Sequence, residues 1–388
     1  MFVTRPNVEL TLLALHSHMT TILITGGAGF IGSHLSDELL NAGYRVRVLD
    51  NLISQVHERR ARPEYLDNDI ELLVGDVRNR DAVGRALEGV DAVFHFAAHV
   101  GVGQSMYRLA DYTSTNGVGT ATLLEALIER PVERLVVASS MSIYGEGLYR
   151  TAAGQFVHDA SRRLDDLFAG VWEPTAEDGS PLEPLATPEF KTPSLKSIYA
   201  LTKFDQERMS LMVGEAYRIP TVAARFFNVY GPRQALSNPY TGVLAIFASR
   251  LLNGRRPLIY EDGGQRRDFV SVYDVARGLR LMLESPSAPG QAFNIGSGVA
   301  LTVREVAVRL ADVLDRQSLE PQITQNYRMG DIRHCFADIS QARRVLGYEP
   351  QITIEAGLIE LAGWLSGQAA FDRIAEANAE LTVRGLAV

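Results

Sequence analysis

Tyr199 and Lys203, one helical turn apart in the run Ser197-Ile198-Tyr199-Ala200-Leu201-Thr202-Lys203, are a pair of side chains suited to proton transfer. On a helix, residues at i and i+4 leave the same face, so an ammonium there can hold down the phenol's pKa. An unperturbed phenol ionises near pH ~10 and is a poor base at neutrality; a neighbouring lysine and the cationic nicotinamide ring of an oxidised dinucleotide both favour the phenolate. Such a pair held beside NAD can oxidise an alcohol. The spacing alone is common in ordinary amphipathic helices, so the elements that must position it carry the argument.

The first of those elements is a glycine-rich turn. Gly26-Gly27-Ala28-Gly29-Phe30-Ile31-Gly32 follows the apolar run Thr21 to Thr25 and opens a helix-like segment, and Asp50 ends the second apolar run. Glycines there permit a tight turn and close approach of backbone to a pyrophosphate, whose charge suits a helix N-terminus. Outside this context the same glycines would be read as a structural turn. Asp50, with Asn51 beside it, is placed for a ribose diol. A carboxylate repels a 2'-phosphate and no arginine follows at once, which favours NAD over NADP. Asp76 and Val77, ending the third run, are placed for the adenine, and Phe96-Ala97-Ala98, ending the fourth, put small side chains beside the cofactor. The expected cofactor set is therefore Gly26, Gly29, Phe30, Ile31, Gly32, Asp50, Asn51, Asp76, Val77, Phe96, Ala97 and Ala98, with Tyr199 and Lys203 at the nicotinamide end.

Strand-like runs at Thr21 to Thr25, Tyr44 to Leu49, Ile70 to Val74, Ala92 to Phe96, Leu135 to Ala138 and Val222 to Phe226 alternate with helix-like segments. This pattern predicts an α/β fold, a Rossmann-type doubly wound parallel sheet, followed by a smaller C-terminal α/β substrate-binding domain. The expected division is an N-terminal extension over 1–18, a cofactor domain over 19–228 and a substrate domain over 229–388, with segment 268–296 crossing back to the first domain. Residues 146–195, rich in Pro, Gly, Asp and Glu, are too long for an ordinary connection and read as an inserted lobe or lid, or as a passive surface excursion. Thr302 and Glu305 make a capping box for a helix running to about Asp315.

The 388 residues, 46% hydrophobic and 22% charged, are enough for a sizeable core. A net charge of -8 argues against nucleic acid or an anionic membrane surface as partner. Cys335 is the single cysteine, which excludes an intramolecular disulfide and suits a reducing cytoplasm. No apolar run approaches the roughly 20 residues of a spanning helix. Val8 to Leu15 is mildly apolar but contains Glu9 and lacks a small-residue cleavage site, so it makes a poor signal peptide. His95, His99 and His334 form no spaced cluster, and no metal is expected.

Together, TGGAGFIGSH at 25–34, GDV at 75–77, FHFAA at 94–98, SSMSIYG at 139–145, YALTK at 199–203 and RFFNVYGP at 225–232 resemble the extended short-chain dehydrogenase/reductase family, in its nucleotide-sugar epimerase and dehydratase branch. The resemblance spans most of residues 19–365. It implies a catalytic triad of Ser140, Tyr199 and Lys203, in which Ser140 bonds the sugar hydroxyl that Tyr199 deprotonates and Lys203 also binds the nicotinamide ribose. It further implies a nucleotide-sugar site at Ser140, Tyr199, Asn228, Arg267 and Arg333, and a homodimer formed through the Tyr-Lys helix and the helix over roughly Tyr112 to Ile128. Related dehydratases carry Asp-Glu after the triad serine and related decarboxylases carry Glu at the second place; this chain has Met141 and Ser142. Elimination and decarboxylation lose their usual acid and base, whereas 4-epimerisation needs only the serine, the tyrosine and NAD. The insert, the run 233–242 and GDIRHCFADIS at 330–340 are most similar to the bacterial dTDP-L-rhamnose 4-epimerase group. A UDP-hexose or UDP-uronate 4-epimerase, a dehydratase or net oxidoreductase, and a non-catalytic NAD-dependent scaffold or sensor are the alternatives.

Overall fold

The computed structural model describes residues 20–57, 60–235, 242–328, 330–367 and 374–386; the expected N-terminal extension lies outside them, as do residues 236–241 of the run noted above. Seven parallel strands form the large sheet: β1 (Thr21–Thr25), β2 (Arg45–Asp50), β3 (Glu71–Val74), β4 (Ala92–His95), β5 (Arg134–Ser140), β6 (Thr221–Phe226) and β7 (Ala292–Ile295). Their spatial order is β7-β6-β5-β4-β1-β2-β3. Strand order reverses between β1 and β4, and a crevice at the carboxyl ends of strands opens at such a switch point.

The middle of the sheet is covered on both faces, which is why β1, β4, β5 and β6 read as largely continuous apolar runs, whereas the outer β2 alternates at its start and β3 stays partly exposed. In β1, Ile22 and Ile24 join a core with Val48, Phe94 and Val136, while Leu23 joins Val93, Leu123 and Leu135 on the other side. The helices that position the site are α1 (Phe30–Asn41), α2 (Arg80–Ala86), α3 (Gly119–Glu129), α4 (Ile198–Tyr217), α5 (Val272–Glu284) and α6 (Val303–Val313). α5 packs on α1, and β7 lies beside β6 at the edge of the sheet. The helix expected from Tyr112 is continuous but widens into a π-helical turn at Thr113–Val118 before α3.

Beyond β6, strand Asn228–Tyr230 runs parallel to Arg266–Ser271, which also pairs with Ala300–Thr302 and His334–Cys335. A second core, with Phe247, Leu251, Val306, Leu310, Leu358 and Leu361, lies under these elements. The Thr302–Glu305 capping box is formed, and α6 ends at Val313. The inserted segment holds a small antiparallel sheet, with Leu148–Arg150 between Phe156–Val157 and Glu183–Leu185.

Candidate functional site

A cavity of about 540 Å³ lies at the carboxyl ends of the strands, within the range of small-molecule and cofactor sites. Its glycine loop is shaped by close contacts. Gly26 has φ +72°, and a Cβ there would stand 2.8 Å from the Ala97 amide nitrogen. A Cβ on Gly32 would come within 2.6 Å of Gly27 Cα and 2.7 Å of the Gly26 carbonyl oxygen, so only glycine lets α1 start this close to the turn. Gly29 caps α1 with no side-chain hydrogen bond, which leaves the first-turn amides pointing at the cavity, where an anion is favoured.

Asp50 ties this loop to β2. Its Oδ2 accepts from the Ala28 amide at 3.1 Å and its Oδ1 from the Leu52 amide at 2.9 Å, leaving lone pairs for a diol. Burial raises its pKa, opposed by the Leu52 amide and by His57. Asp76 is gripped by Arg78, at 2.8 Å from Nε and 2.7 Å from Nη2, and by Asn51 Nδ2 at 3.2 Å. The Arg78 hydrogen bonds hold its carboxyl at about 2. Phe30, Ile31, Val77, Phe96, Ala97 and Ala98 also line the cavity, so every residue expected to hold the cofactor is in its wall.

The opposite wall carries Ser140, Tyr199 and Lys203. Ser140 ends β5. α4 begins at Ile198 because Ser197 Oγ accepts from the Ala200 amide at 3.1 Å, and the Tyr199 amide donates to Ser105 Oγ at 3.0 Å. The face that α4 turns inward is polar, with Thr202, Lys203, Gln206, Glu207 and Ser210 all buried. Lys203 Nζ donates to Gln206 Oε1 at 2.7 Å, and Gln206 Nε2 donates to Thr120 Oγ1 at 2.8 Å. His95 fills the same layer, its Nδ1 2.7 Å from Thr25 Oγ1 and its Nε2 2.8 Å from Thr120 Oγ1; burial draws it down to about 3, a neutral structural imidazole. Glu207 pairs with buried Arg225 through Nη2–Oε1 at 2.6 Å and accepts from Ser139 Oγ at 2.6 Å, which pins α4 to β5 and β6.

Burial brings the Lys203 pKa down to about 7, with Glu207 opposing, and its hydrogen bond is made to Gln206 Oε1. Tyr199 stands above the ordinary phenol value because of desolvation, and the influence that lowers it is a hydrogen bond with Ser140.

Arg333 departs from its expected place at the substrate. It is buried and absent from the cavity wall. Its guanidinium bonds Glu173 at 2.6 Å, Asp262 at 2.7 Å and Glu261 at 2.9 Å, so its donors are committed to carboxylates and none is aimed at a phosphate. With Arg162, which reaches Glu261 at 2.6 Å, and with His334, 2.7 Å from Glu173, it clamps the inserted segment to the strands behind the cavity. None of residues 146–195 lines the cavity.

Asn228 and Arg267 do line it. Asn228 Oδ1 is buried with no hydrogen-bond partner among the described residues, and so remains an acceptor for a ligand. Arg267 braces the 330–334 segment through the Ile332 carbonyl at 2.6 Å and the Arg333 carbonyl at 2.9 Å. Asp268, next to it, is fully buried, raised to about 6 by burial, and accepts from the Ser297 and Gly298 amides at 2.7 and 2.8 Å. Lys196, exposed and three residues before Tyr199, is a cation of this wall that the motif reading passed over; it lies outside the YALTK run, and only the fold brings it against Gly145 and Gly330. Among the described residues no group of His, Cys, Asp and Glu could hold a metal, and no helix is long and apolar enough to cross a membrane.

Comparison with known proteins agrees with this geometry. Residues 22–163 and 169–296 match the NAD dependent epimerase/dehydratase family. The chain is 36% identical over 350 residues to the dTDP-L-rhamnose 4-epimerase of Burkholderia thailandensis, covering 89% of this chain and 94% of that protein. It is 33% identical to the UDP-glucose 4-epimerase of Mycolicibacterium smegmatis, over 87% of this chain and 95% of the relative. Among solved structures, UDP-glucuronic acid 4-epimerase from Bacillus cereus, in complex with UDP-glucuronic acid and NAD, superposes with a TM-score of 0.74 at 26% identity, covering 89% of this chain and 99% of the other. With a doubly wound sheet, a glycine turn at its switch point and a match over most of its length, the chain belongs to the NAD-dependent epimerase/dehydratase family, with NAD as its cofactor and a nucleotide sugar as the class of substrate.

Proposed function

We propose that this protein is a nucleotide-sugar 4-epimerase that interconverts dTDP-L-rhamnose and its C4 epimer through a 4-keto intermediate. The observation that carries the reaction type is the sequence Ser140-Met141-Ser142 in the cavity wall: a proton-transfer serine and tyrosine are present, with no carboxylate on the two residues after β5 that would serve elimination or decarboxylation. The substrate rests on the 36% identical Burkholderia relative and on the resemblance of segments 233–242 and 330–340.

In this reading the first turn of α1, with Gly26, Gly29, Phe30, Ile31 and Gly32, holds the pyrophosphate of NAD, and Asp50 and Asn51 hold the adenosine ribose. Asp76 and Val77 border the adenine, Phe96, Ala97 and Ala98 flank the cofactor, and Lys203 reaches the nicotinamide ribose. When bound, NAD would supply reversible hydride transfer at C4 and a positive charge that favours the Tyr199 phenolate. Tyr199 takes the proton of the 4-hydroxyl, Ser140 donates to the resulting 4-keto oxygen, and both reverse their roles once the ketone has turned over. Asn228 and Arg267 hold the sugar diphosphate. The division into a cofactor domain over 19–228 and a substrate domain over 229–388 follows from the same reading.

A UDP-uronate is the second reading, favoured by Lys196. This exposed ammonium stands in the cavity wall near the reacting pair, where a sugar carboxylate would find a counter-charge. NMR product analysis with dTDP-L-rhamnose, UDP-glucose, UDP-glucuronate and dTDP-glucose separates the readings. An equal-mass 4-epimer of dTDP-L-rhamnose, formed without net consumption of NAD, is the expected result; turnover of UDP-glucuronate alone transfers the substrate to the second reading, and a keto product overturns epimerisation. Tyr199→Phe is expected to keep NAD and lose at least ~100-fold in turnover, the low end for a general base; a fully active variant refutes the role of Tyr199.

A homodimer in the cytoplasm completes the proposal. α4 buries polar residues and exposes apolar ones, with Leu201, Met212 and Tyr217 between 48% and 60% exposed and Val118 at 54% on the turn before α3. Such a face suits a second copy of the chain. Sedimentation of Leu201→Lys against the unaltered protein tests it, with a monomeric variant expected.

A further inference from the structure

Ser142 offers the reaction no carboxylate. Its side chain nevertheless lies in the cavity wall beside the reacting groups, and its contacts are specific. The Ser142 amide donates to Ser140 Oγ at 3.2 Å and the Ser142 hydroxyl donates to the same oxygen at 2.9 Å. A serine oxygen has two acceptor lone pairs and one proton. With the Ser142 amide and hydroxyl both directed at Ser140 Oγ, the Ser140 proton is left for Tyr199, which lies in the same cavity wall.

We propose that Ser142 is a positioning residue that fixes the polarity of the triad, in a donor chain Ser142 O–H to Ser140 O–H to the Tyr199 oxygen. When Tyr199 is ionised it can only accept, and Ser140 must give it a proton; Ser142 then supplies the donor that Ser140 needs in return. The same polarity serves the 4-keto oxygen, which also only accepts. Hydrogen bonds in such a chain polarise one another and strengthen toward the charged end.

Few other groups are placed to substitute. Lys203 Nζ is turned toward Gln206 Oε1, to which it donates at 2.7 Å. Tyr112 meets the Tyr199 ring edge-on, with centroids 6.5 Å apart, and directs its own hydroxyl to the Val100 carbonyl at 2.9 Å. His99 stacks on the far side, 5.5 Å from the Tyr112 ring. Glu207, one turn beyond Lys203, is taken up by Arg225 and Ser139.

The proposal deepens the epimerase reading by way of Tyr199, but its test needs no sugar. Tyrosine ionisation is followed by ultraviolet absorbance in the NAD-loaded protein, with Tyr199→Phe as the blank that removes the other tyrosines. Ser142→Ala is expected to raise the Tyr199 titration by about one pH unit, a tenfold loss of phenolate at fixed pH (~1.4 kcal/mol), while NAD content stays unchanged. Ser142→Thr keeps the hydroxyl and is expected to restore the original titration, which a merely structural role would not do. An unmoved titration in Ser142→Ala, or a Thr variant as shifted as the Ala one, overturns the donor chain. If Ser142→Ala loses NAD or fails to fold, Ser142→Cys decides: its weak S–H donor must give an upward shift with NAD retained, and no shift refutes the proposal. Absence of epimerase activity on every sugar nucleotide leaves this titration readable, so the two failures are distinguishable.

Discussion

Replacing Glu207 by glutamine is expected to damage this protein more than any change at its surface. Glu207 is 1% exposed and Arg225 7% exposed, and they meet as a two-pronged pair, Nη2 to Oε1 at 2.6 Å and Nε to Oε2 at 3.0 Å. Arg225 Nη1 is already used by the Tyr144 hydroxyl and the Glu189 carbonyl, both at 2.9 Å, so the guanidinium cannot turn away to water. Glutamine removes the counter-charge and offers one oxygen for two donors, leaving an uncompensated buried cation. Breaking such a pair costs about 3–5 kcal/mol. In a chain of this size that corresponds to a fall in Tm of about 4–6 °C, read by calorimetry or by urea unfolding at fixed NAD. The informative control is Glu207→Leu with Arg225→Met, which removes both charges and is expected to be less destabilising than the single change, since an apolar pair carries no desolvation penalty. A loss below about 1 kcal/mol in Glu207→Gln, or a double variant less stable than the single one, would refute the reasoning. Because Glu207 also raises the Lys203 pKa, the single variant should draw Lys203 still lower.

Lys203 itself links stability to pH. Burial lowers it to about 7 in the folded protein, so between there and its unfolded value near ~10.4 the unfolded chain holds the extra proton. The folded state is therefore penalised most below about pH 7 and gains up to ~1.4 kcal/mol per unit as pH rises through the window. Lys203→Met should flatten that slope in denaturation free energies measured from pH 7 to 9.5, and an unchanged slope contradicts the assignment. Gly32→Ala places a Cβ 2.6 Å from Gly27 Cα, a backbone clash that must displace the start of α1. NAD affinity, followed by titration calorimetry, should fall at least ~10-fold, about 1.4 kcal/mol; retained affinity would show that the turn yields. Arg333→Met should lower stability by about 1–3 kcal/mol, because Glu261 Oε2 is left buried without its donor while Arg162 still pairs Oε1, without a selective rise in KM. A KM effect at unchanged stability would restore Arg333 to the substrate.

Local residues disclosed much of the scaffold. β1 occupies the expected Thr21–Thr25, and the other five expected strands lie within a few residues of their apolar runs, because the central strands, buried on both faces, are largely apolar. The Gly26 to Gly32 turn and the Thr302–Glu305 box were legible for the same reason: each is a short-range demand of backbone geometry that few residue types satisfy. Partners distant in the chain were not legible. Arg333 meets Glu173 across 160 positions, and no local pattern distinguishes an arginine spent on buried carboxylates from one facing a phosphate. Lys203 is one turn from Tyr199 in any helix, yet only the packing of α4 on Thr120 and His95 orients Gln206 to accept from it and removes the water that would have kept its pKa high. The sequence by itself determined which elements form, the cofactor turn, and the residue types available for proton transfer, since these depend on neighbours a few positions away. Which charge answers which, and which cations reach the cavity, were decided by tertiary structure alone, because burial and distance set electrostatic strength and both are properties of the folded chain.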